Sequence, residues 1–165
     1  MLAESRTHDL SRLELRDLVH DLAGRPELWA HLVRHDPSER VYCELLRDDH
    51  VAVYLICWMD DHDTGYHDHD VSAGALAVAS GQVREERLAI GNEPASTLAG
   101  PGDVLDFAPE DIHRVTHAGR LPAVTIHAYS PPLRGMGAYD IADDGRLRRH
   151  AQSYEEELRP RAALG

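Results

Sequence analysis

From residue 41 to residue 141 the chain is cut into short apolar runs by turn signals at regular spacing, and this punctuation constrains the fold more than any other feature. Val51, Val53, Leu55 and Cys57 alternate with Ala52, Tyr54, Ile56 and Trp58. Both faces of that period-two pattern are apolar, as in a strand buried on both sides. Further runs occupy residues 74–80, 83–89, 103–107, 112–116, 123–129 and 137–141. Ser80-Gly81, Gly91-Asn92, Gly100-Pro101-Gly102, Ala118-Gly119, Pro131-Pro132 and Asp144-Gly145 separate them. Many short strands at such spacing predict an all-β sandwich or barrel over residues 41–141.

Residues 11–35 read differently, as an N-terminal helical segment. Ser11 and Glu14 form a capping-box pattern, and Leu15, Leu18, Val19 and Leu22 follow as one apolar stripe. Gly24 suits the residue after the helix, and Pro26 the first turn of a second helix with Leu28, Trp29, Leu32 and Val33 on its buried face. Residues 153–165 form a charged tail, helical or frayed. No internal repeat is visible, so the 165 residues are expected to form a single domain.

Composition excludes several functions. The formal net charge of −12 disfavours nucleic acid and anionic membrane surfaces as partners. There is no lysine, which rules out Schiff-base chemistry on one. No stretch approaches the roughly 18 apolar residues of a membrane span, and the first ten residues show no basic-then-apolar leader, so a cytoplasmic location is expected. Cys43 and Cys57 do not read as a disulfide framework. Histidine is the unusual count, 12 in all.

Tyr66-His67-Asp68-His69-Asp70 is where the histidines become informative. On a strand, residues i and i+2 share a face, so His67 and His69 point together. An isolated His-x-His is more often a surface pair than a metal site, and Asp61, Asp63, Asp68 and Asp70 could be a solvated loop. A third ligand would have to come from another strand, with His113, His117 and His127 as candidates.

This arrangement resembles the cupin family. Its first motif is matched by Gly65, His67, His69 and Gly81, and its second by Pro109 and His113. The acidic ligand that many cupins carry is missing, since Ala73, Gly74 and Ala75 occupy that region, and His117 stands where an Asn is usual. Within cupins the chain is similar to the cysteine dioxygenase type of thiol dioxygenase, through Cys57-Trp58, His67-Asp68-His69, His113-Arg114-Val115 and the run from Ala123 through Thr125, His127 and Tyr129 to Pro132. The resemblance implies a cupin (double-stranded β-helix) barrel. It also implies Fe(II) on His67, His69 and His113, an outer trio of Thr125, His127 and Tyr129, and a small thiol and O2 as substrates. Three neutral imidazoles suit iron and leave positions open for both.

Two departures stand out. Gly74 occupies the place of a cysteine that mammalian members cross-link to tyrosine, as it does in many bacterial members. Glu44 occupies the place of the Arg or Gln that grips the substrate carboxylate, in the block from Tyr42 to Arg47. Tyr42, Glu44 and Arg47 are therefore the candidate substrate-binding residues, with the thiol left open among cysteine, cysteamine and mercaptopropionate. The product is a sulfinate or something oxidised further. A non-redox cupin, an isomerase or a ligand sensor, is the rival of a different class.

Overall fold

The computed structural model describes residues 6–89 and 91–155. It begins with the helix α1 (Arg12–Ala23) and continues into strands β1 (Val41–Arg47), β2 (Ala52–Trp58), β3 (Tyr66–Asp68), β4 (Ala73–Ser80), β5 (Gln82–Arg87) and β6 (Ala95–Ala99). The later strands are β7 (Val104–Phe107), β8 (His113–Ala118), β9 (Ala123–Ser130), β10 (Gly135–Ile141) and β11 (Leu147–Ser153). They form two antiparallel sheets, one ordered β1-β2-β9-β4-β7 and the other β11-β10-β3-β8-β5-β6.

The apolar pattern explains the layering. Every residue of β2 and of β9 is buried. One face of β2, with Tyr54, Ile56 and Trp58, joins the core between the sheets. The other face, with Val53, Leu55 and Cys57, meets Leu15, Val19 and Leu22 of α1. The helix starts as the sequence predicts: Ser11 and Glu14 close the capping box in both directions.

Several local expectations need correction. Gly24 caps α1 in a right-handed conformation, φ −75°, instead of the left-handed one usual for such a glycine. The second helix is two short 3₁₀ turns, Pro26–Leu28 and Ala30–Leu32. The Trp29 indole donates to the Leu22 carbonyl (2.9 Å) and draws the segment back against the end of α1. A run this short does not repay helix nucleation. Strands β6 and β11 were not expected, and both are edge strands of the same sheet. Their residues are almost all exposed, so they carry little apolar alternation. Ser153 closes β11; the charged tail beyond residue 155 lies outside the described residues.

Candidate metal centre

The His-x-His element sits on β3 and its exit. His67 lies mid-strand and pairs in register with His113, the first residue of β8. His69 lies just beyond β3 and is held by its backbone: its N–H donates to the Pro109 carbonyl (3.2 Å) and its carbonyl accepts from Ser72 N–H (2.9 Å). The Pro-containing turn before β8 thus positions a residue of the first motif as well as His113.

The three imidazoles converge. Ring centroids lie 4.8 Å (His67–His69), 4.7 Å (His67–His113) and 4.9 Å (His69–His113) apart. Their candidate ligand atoms all fall within 4.8 Å of one another. Each residue is 1–3% exposed. His113 and His69 bring their Nε2 atoms to 3.4 Å. That separation is short enough for both nitrogens to ligate one ion.

Outer contacts set the tautomers. His67 Nδ1 donates to the carbonyl of Gly65 (3.0 Å), a residue in the left-handed region (φ +69°) that glycine adopts readily. His113 Nδ1 donates to Glu85 Oε1 (2.7 Å). With Nδ1 protonated in both, the Nε2 lone pairs face the centre, the arrangement of metal-binding histidines backed by a carbonyl or a carboxylate. Burial, and then the neighbouring imidazoles, hold His67 and His69 well below the usual histidine range, so both stay neutral and able to ligate. This donor set fits a divalent metal.

Glu85 was not identified from sequence. It is 5% exposed on β5 and also accepts from Arg87 (3.0 Å). Burial alone would raise its pKa, but His113 and Arg87 outweigh that and leave it below the usual value. The alternating polar residues of β5 resemble a solvent-facing strand, and only the fold brings Glu85 under His113. Phe107 was not identified either; its ring stacks on His69 (4.3 Å) and lies 4.4 Å from His113.

Asp68 is the residue least like its sequence setting. It is not part of a solvated loop. Its carboxylate, 6% exposed, accepts from Arg149 Nε (2.7 Å), Arg149 Nη2 (3.0 Å), the Tyr139 hydroxyl (2.6 Å) and the Gly137 N–H (3.0 Å). Burial raises its pKa, yet Arg149 and Tyr139 bring it down to about 2. The middle residue of His-x-His therefore ties β3 to the β10–β11 hairpin.

Thr125, His127 and Tyr129 share the inner face of β9, across from the histidine cluster. Thr125 Oγ1 and His127 Nε2 are 2.8 Å apart, and His127 Nδ1 and the Tyr129 hydroxyl 3.1 Å. Trp58 completes the chain: its indole N–H donates to Thr125 Oγ1 (2.8 Å). An indole can only donate, so Thr125 accepts there and its own proton turns to His127 Nε2. His127 Nδ1–H then donates to Tyr129, whose own proton is directed away from His127. His127 is neutral, since burial first, then His113 and Arg40, bring it down to about 3. Tyr129 stands 5.4 Å from His69, centroid to centroid. His117 is not part of the cluster; it hydrogen-bonds to Leu121 and pairs with Asp60.

The remaining candidates lie on β1. Glu44 pairs with Tyr54 in register, and a bulge between Glu44 and Leu46 brings Arg47 opposite Ala52. Tyr54 and Ala52 face the space between the sheets, so Glu44 and Arg47 share that side despite their odd spacing. Arg47 Nε donates to Glu44 (2.9 Å) and Nη2 to the Tyr54 hydroxyl (2.6 Å). Tyr42 packs edge-on against Tyr54, 6.4 Å between centroids. A cavity lies between the sheets, lined by Arg40, Ile56, His67, His113, His127 and Tyr129, with Thr64 and Val115.

Two facing antiparallel sheets with histidines converging between them define the chain as a cupin. Among solved structures it is similar to a conserved protein with a double-stranded β-helix domain from Klebsiella pneumoniae (TM-score 0.57, 19% identity, covering 65% of this chain and 84% of that one). It is also similar to a cupin superfamily protein from Desulfitobacterium hafniense (TM-score 0.51, 14% identity, 62% and 87%). Residues 8–142 match the family "Cysteine dioxygenase type I", and the chain belongs to that family. Curated relatives include cysteine dioxygenase type 1 of Danio rerio, 24% identical over 77% of this chain and 69% of the relative, and that of Homo sapiens, 24% identical over 77% and 68%.

Proposed function

We propose that the protein is a non-heme iron thiol dioxygenase that converts a small thiol and O2 into the sulfinic acid, with L-cysteine first among its substrates. The carrying observation is a cluster of three buried imidazoles facing the Thr125–His127–Tyr129 chain across one cavity, in a chain of the cysteine dioxygenase family. The reaction adds both atoms of O2 to sulfur, R–SH + O2 → R–SO2H, and needs no further reductant.

His67, His69 and His113 would hold Fe(II), which would supply a redox-active Lewis acid where thiol and dioxygen meet. Phe107, Ile56 and Val115 keep the surroundings apolar and exclude water. Tyr129 offers a hydroxyl that hydrogen-bonds the reacting groups, and Trp58, Thr125 and His127 fix its direction. Tyr42, Glu44 and Arg47 are not among the residues that line the cavity; they stand on β1 beside Tyr54, and a part in recognising the thiol is proposed for them from the family resemblance alone. The setting is the cytoplasm, with no nucleic acid or membrane as partner.

The test is an oxygen-uptake screen of the iron-loaded protein with cysteine, cysteamine and mercaptopropionate, with products identified by mass spectrometry. The expected product carries two added oxygen atoms. Absence of iron-dependent uptake with every thiol would leave the non-redox reading, an isomerase or a ligand sensor.

A further inference from the structure

Arg87 is the last residue of β5 and pairs in register with His113 on β8. Residues directly opposite on neighbouring strands point to one face, and so do residues two apart on a strand. Arg87, His113 and Glu85 therefore share a side, which explains how one carboxylate meets both the histidine and the arginine. Oε1 of Glu85 accepts from His113 Nδ1 (2.7 Å) and from Arg87 Nη2 (3.0 Å). The Arg87 side chain is 32% exposed, so it approaches the histidine cluster from outside.

The same guanidinium grips a second element. Nη2 also donates to the Asp106 carbonyl (2.9 Å), and Nη1 donates to Asp111 Oδ2 (3.2 Å). Asp106 and Asp111 bracket the stretch that leads from β7 into β8, and Asp111 Oδ2 accepts in addition from the Ala108 N–H inside it (2.8 Å). That stretch carries Phe107, whose ring stacks on His69, and Pro109, whose carbonyl accepts the His69 N–H. His67 stands apart, its Nδ1 engaged by the Gly65 carbonyl. A guanidinium offers five N–H donors in a fixed plane, so it can meet three acceptors at once and hold their relative positions. An ammonium is a point charge on a flexible stem.

We propose that Arg87 is a positioning residue of the metal centre, a single cation that fixes His113 through Glu85 and His69 through the 106–111 stretch. The proposal rests on the metal-binding reading of the histidine cluster. Its consequence is geometric: two of the three imidazoles owe their mutual orientation to one side chain that acts through their partners. Groups that orient ligands from outside are worth about 10–100-fold in metal affinity. Loss of Arg87 is felt along two arms, whereas loss of the Glu85 carboxylate cuts only one of them.

Titration of the metal-free protein with Co(II) under nitrogen, followed by visible absorption, reads affinity and ligand geometry without turnover. Native protein, Arg87→Met, Arg87→Lys, Glu85→Gln and the double variant Arg87→Met/Glu85→Gln are compared, with a urea midpoint measured for each metal-free chain. Arg87→Met is expected to weaken Co(II) by about 10–100-fold and to change the band shape of the bound ion. Arg87→Lys should fall between Arg87→Met and native, and it carries the test alone if Arg87→Met does not fold. In the Glu85→Gln background, Arg87→Met should still cost at least about threefold, the contribution of the 106–111 arm. Native affinity and spectrum in both Arg87 variants would overturn the proposal. So would weaker binding with an unchanged spectrum and a matching drop in urea midpoint, which marks Arg87 as structural only. No further loss in the double variant would overturn it as well, since Arg87 would then act on His113 alone. Native protein that binds no Co(II) would remove the metal reading and the role of Arg87 with it. The expected Co(II) losses without oxygen uptake by the iron-loaded native protein would remove the dioxygenase reading and keep Arg87 as a positioning residue.

Discussion

Tyr129 owes its orientation to a chain of hydrogen bonds that starts one strand away, at an indole that can only donate. Tyr129→Phe removes the hydroxyl but keeps the ring against Phe107 and His69, so iron content should stay native. Turnover should fall by the roughly 10²–10⁴-fold typical of a positioned proton donor or acceptor. His127→Ala should act in the same direction by leaving the phenol unoriented, and unchanged kcat in both would reduce the trio to packing. Glu85 acts on the other side of the cavity. Glu85→Gln keeps the shape but replaces an anionic acceptor of the His113 proton by a neutral one. Iron affinity, read by competition with a chelator, should drop about 10–100-fold; native affinity would mean that Glu85 serves only Arg87.

At the scale of the strand, two positions call for a test. Gly74 pairs with Tyr129 on one side and with Phe107 on the other. A Cβ at Gly74 would fall inside the Phe107 ring. Phe107 thus fills the space that a cysteine at position 74 would need, in keeping with the glycine found there. Gly74→Ala should displace Phe107 from His69, lower stability by about 1–3 kcal/mol in urea unfolding, and reduce bound iron. Native stability would show that the ring moves aside at no cost. The second position is the bulge in β1, which places Glu44 and Arg47 on one side of the strand as an ion pair. Glu44→Gln removes a carboxylate available to a substrate's ammonium, which mercaptopropionate lacks, and so should raise kcat/KM for mercaptopropionate relative to cysteine. A ratio that does not move would take Glu44 out of substrate recognition.

At the scale of the whole molecule, the buried histidines between the sheets are held uncharged. Burial holds His127 at about 3, and His67 and His69 well below the ordinary value. The sign follows: between the folded pKa and the unfolded value near 6.5, the unfolded chain binds more protons, so stability falls as pH falls. At pH 5 the neutral His127 alone costs about 2 kcal/mol relative to pH 7 or above, and His67 and His69 act in the same direction. Iron-free protein should therefore be much easier to unfold in urea at pH 5 than at pH 7.5, and equal midpoints would show that these imidazoles are hydrated. Asp68 and Arg149 act at this scale as well, since their bond joins the His-x-His element to the β10–β11 hairpin.

Sequence periodicity alone determined which residues share a face. It aligned Thr125, His127 and Tyr129 and marked β2 as buried on both sides, because side-chain direction alternates strictly along a strand; His69 lies just past the end of β3, and the turn at Pro109 holds it beside His67. The capping box likewise set the start of α1, being local chemistry over four residues. Tertiary structure decided whatever depended on distance between strands. His113 comes from 44 residues beyond His69 to complete the cluster, while His117 turns to Asp60 and His127 faces the cluster from the other sheet. Glu85 reaches His113 across 28 residues, and Asp68 reaches Arg149 across 81. Arg40 and Phe107 gain their places only when the two sheets close. Register and sheet order set these meetings, and both are properties of the assembled backbone that no local run of residues carries.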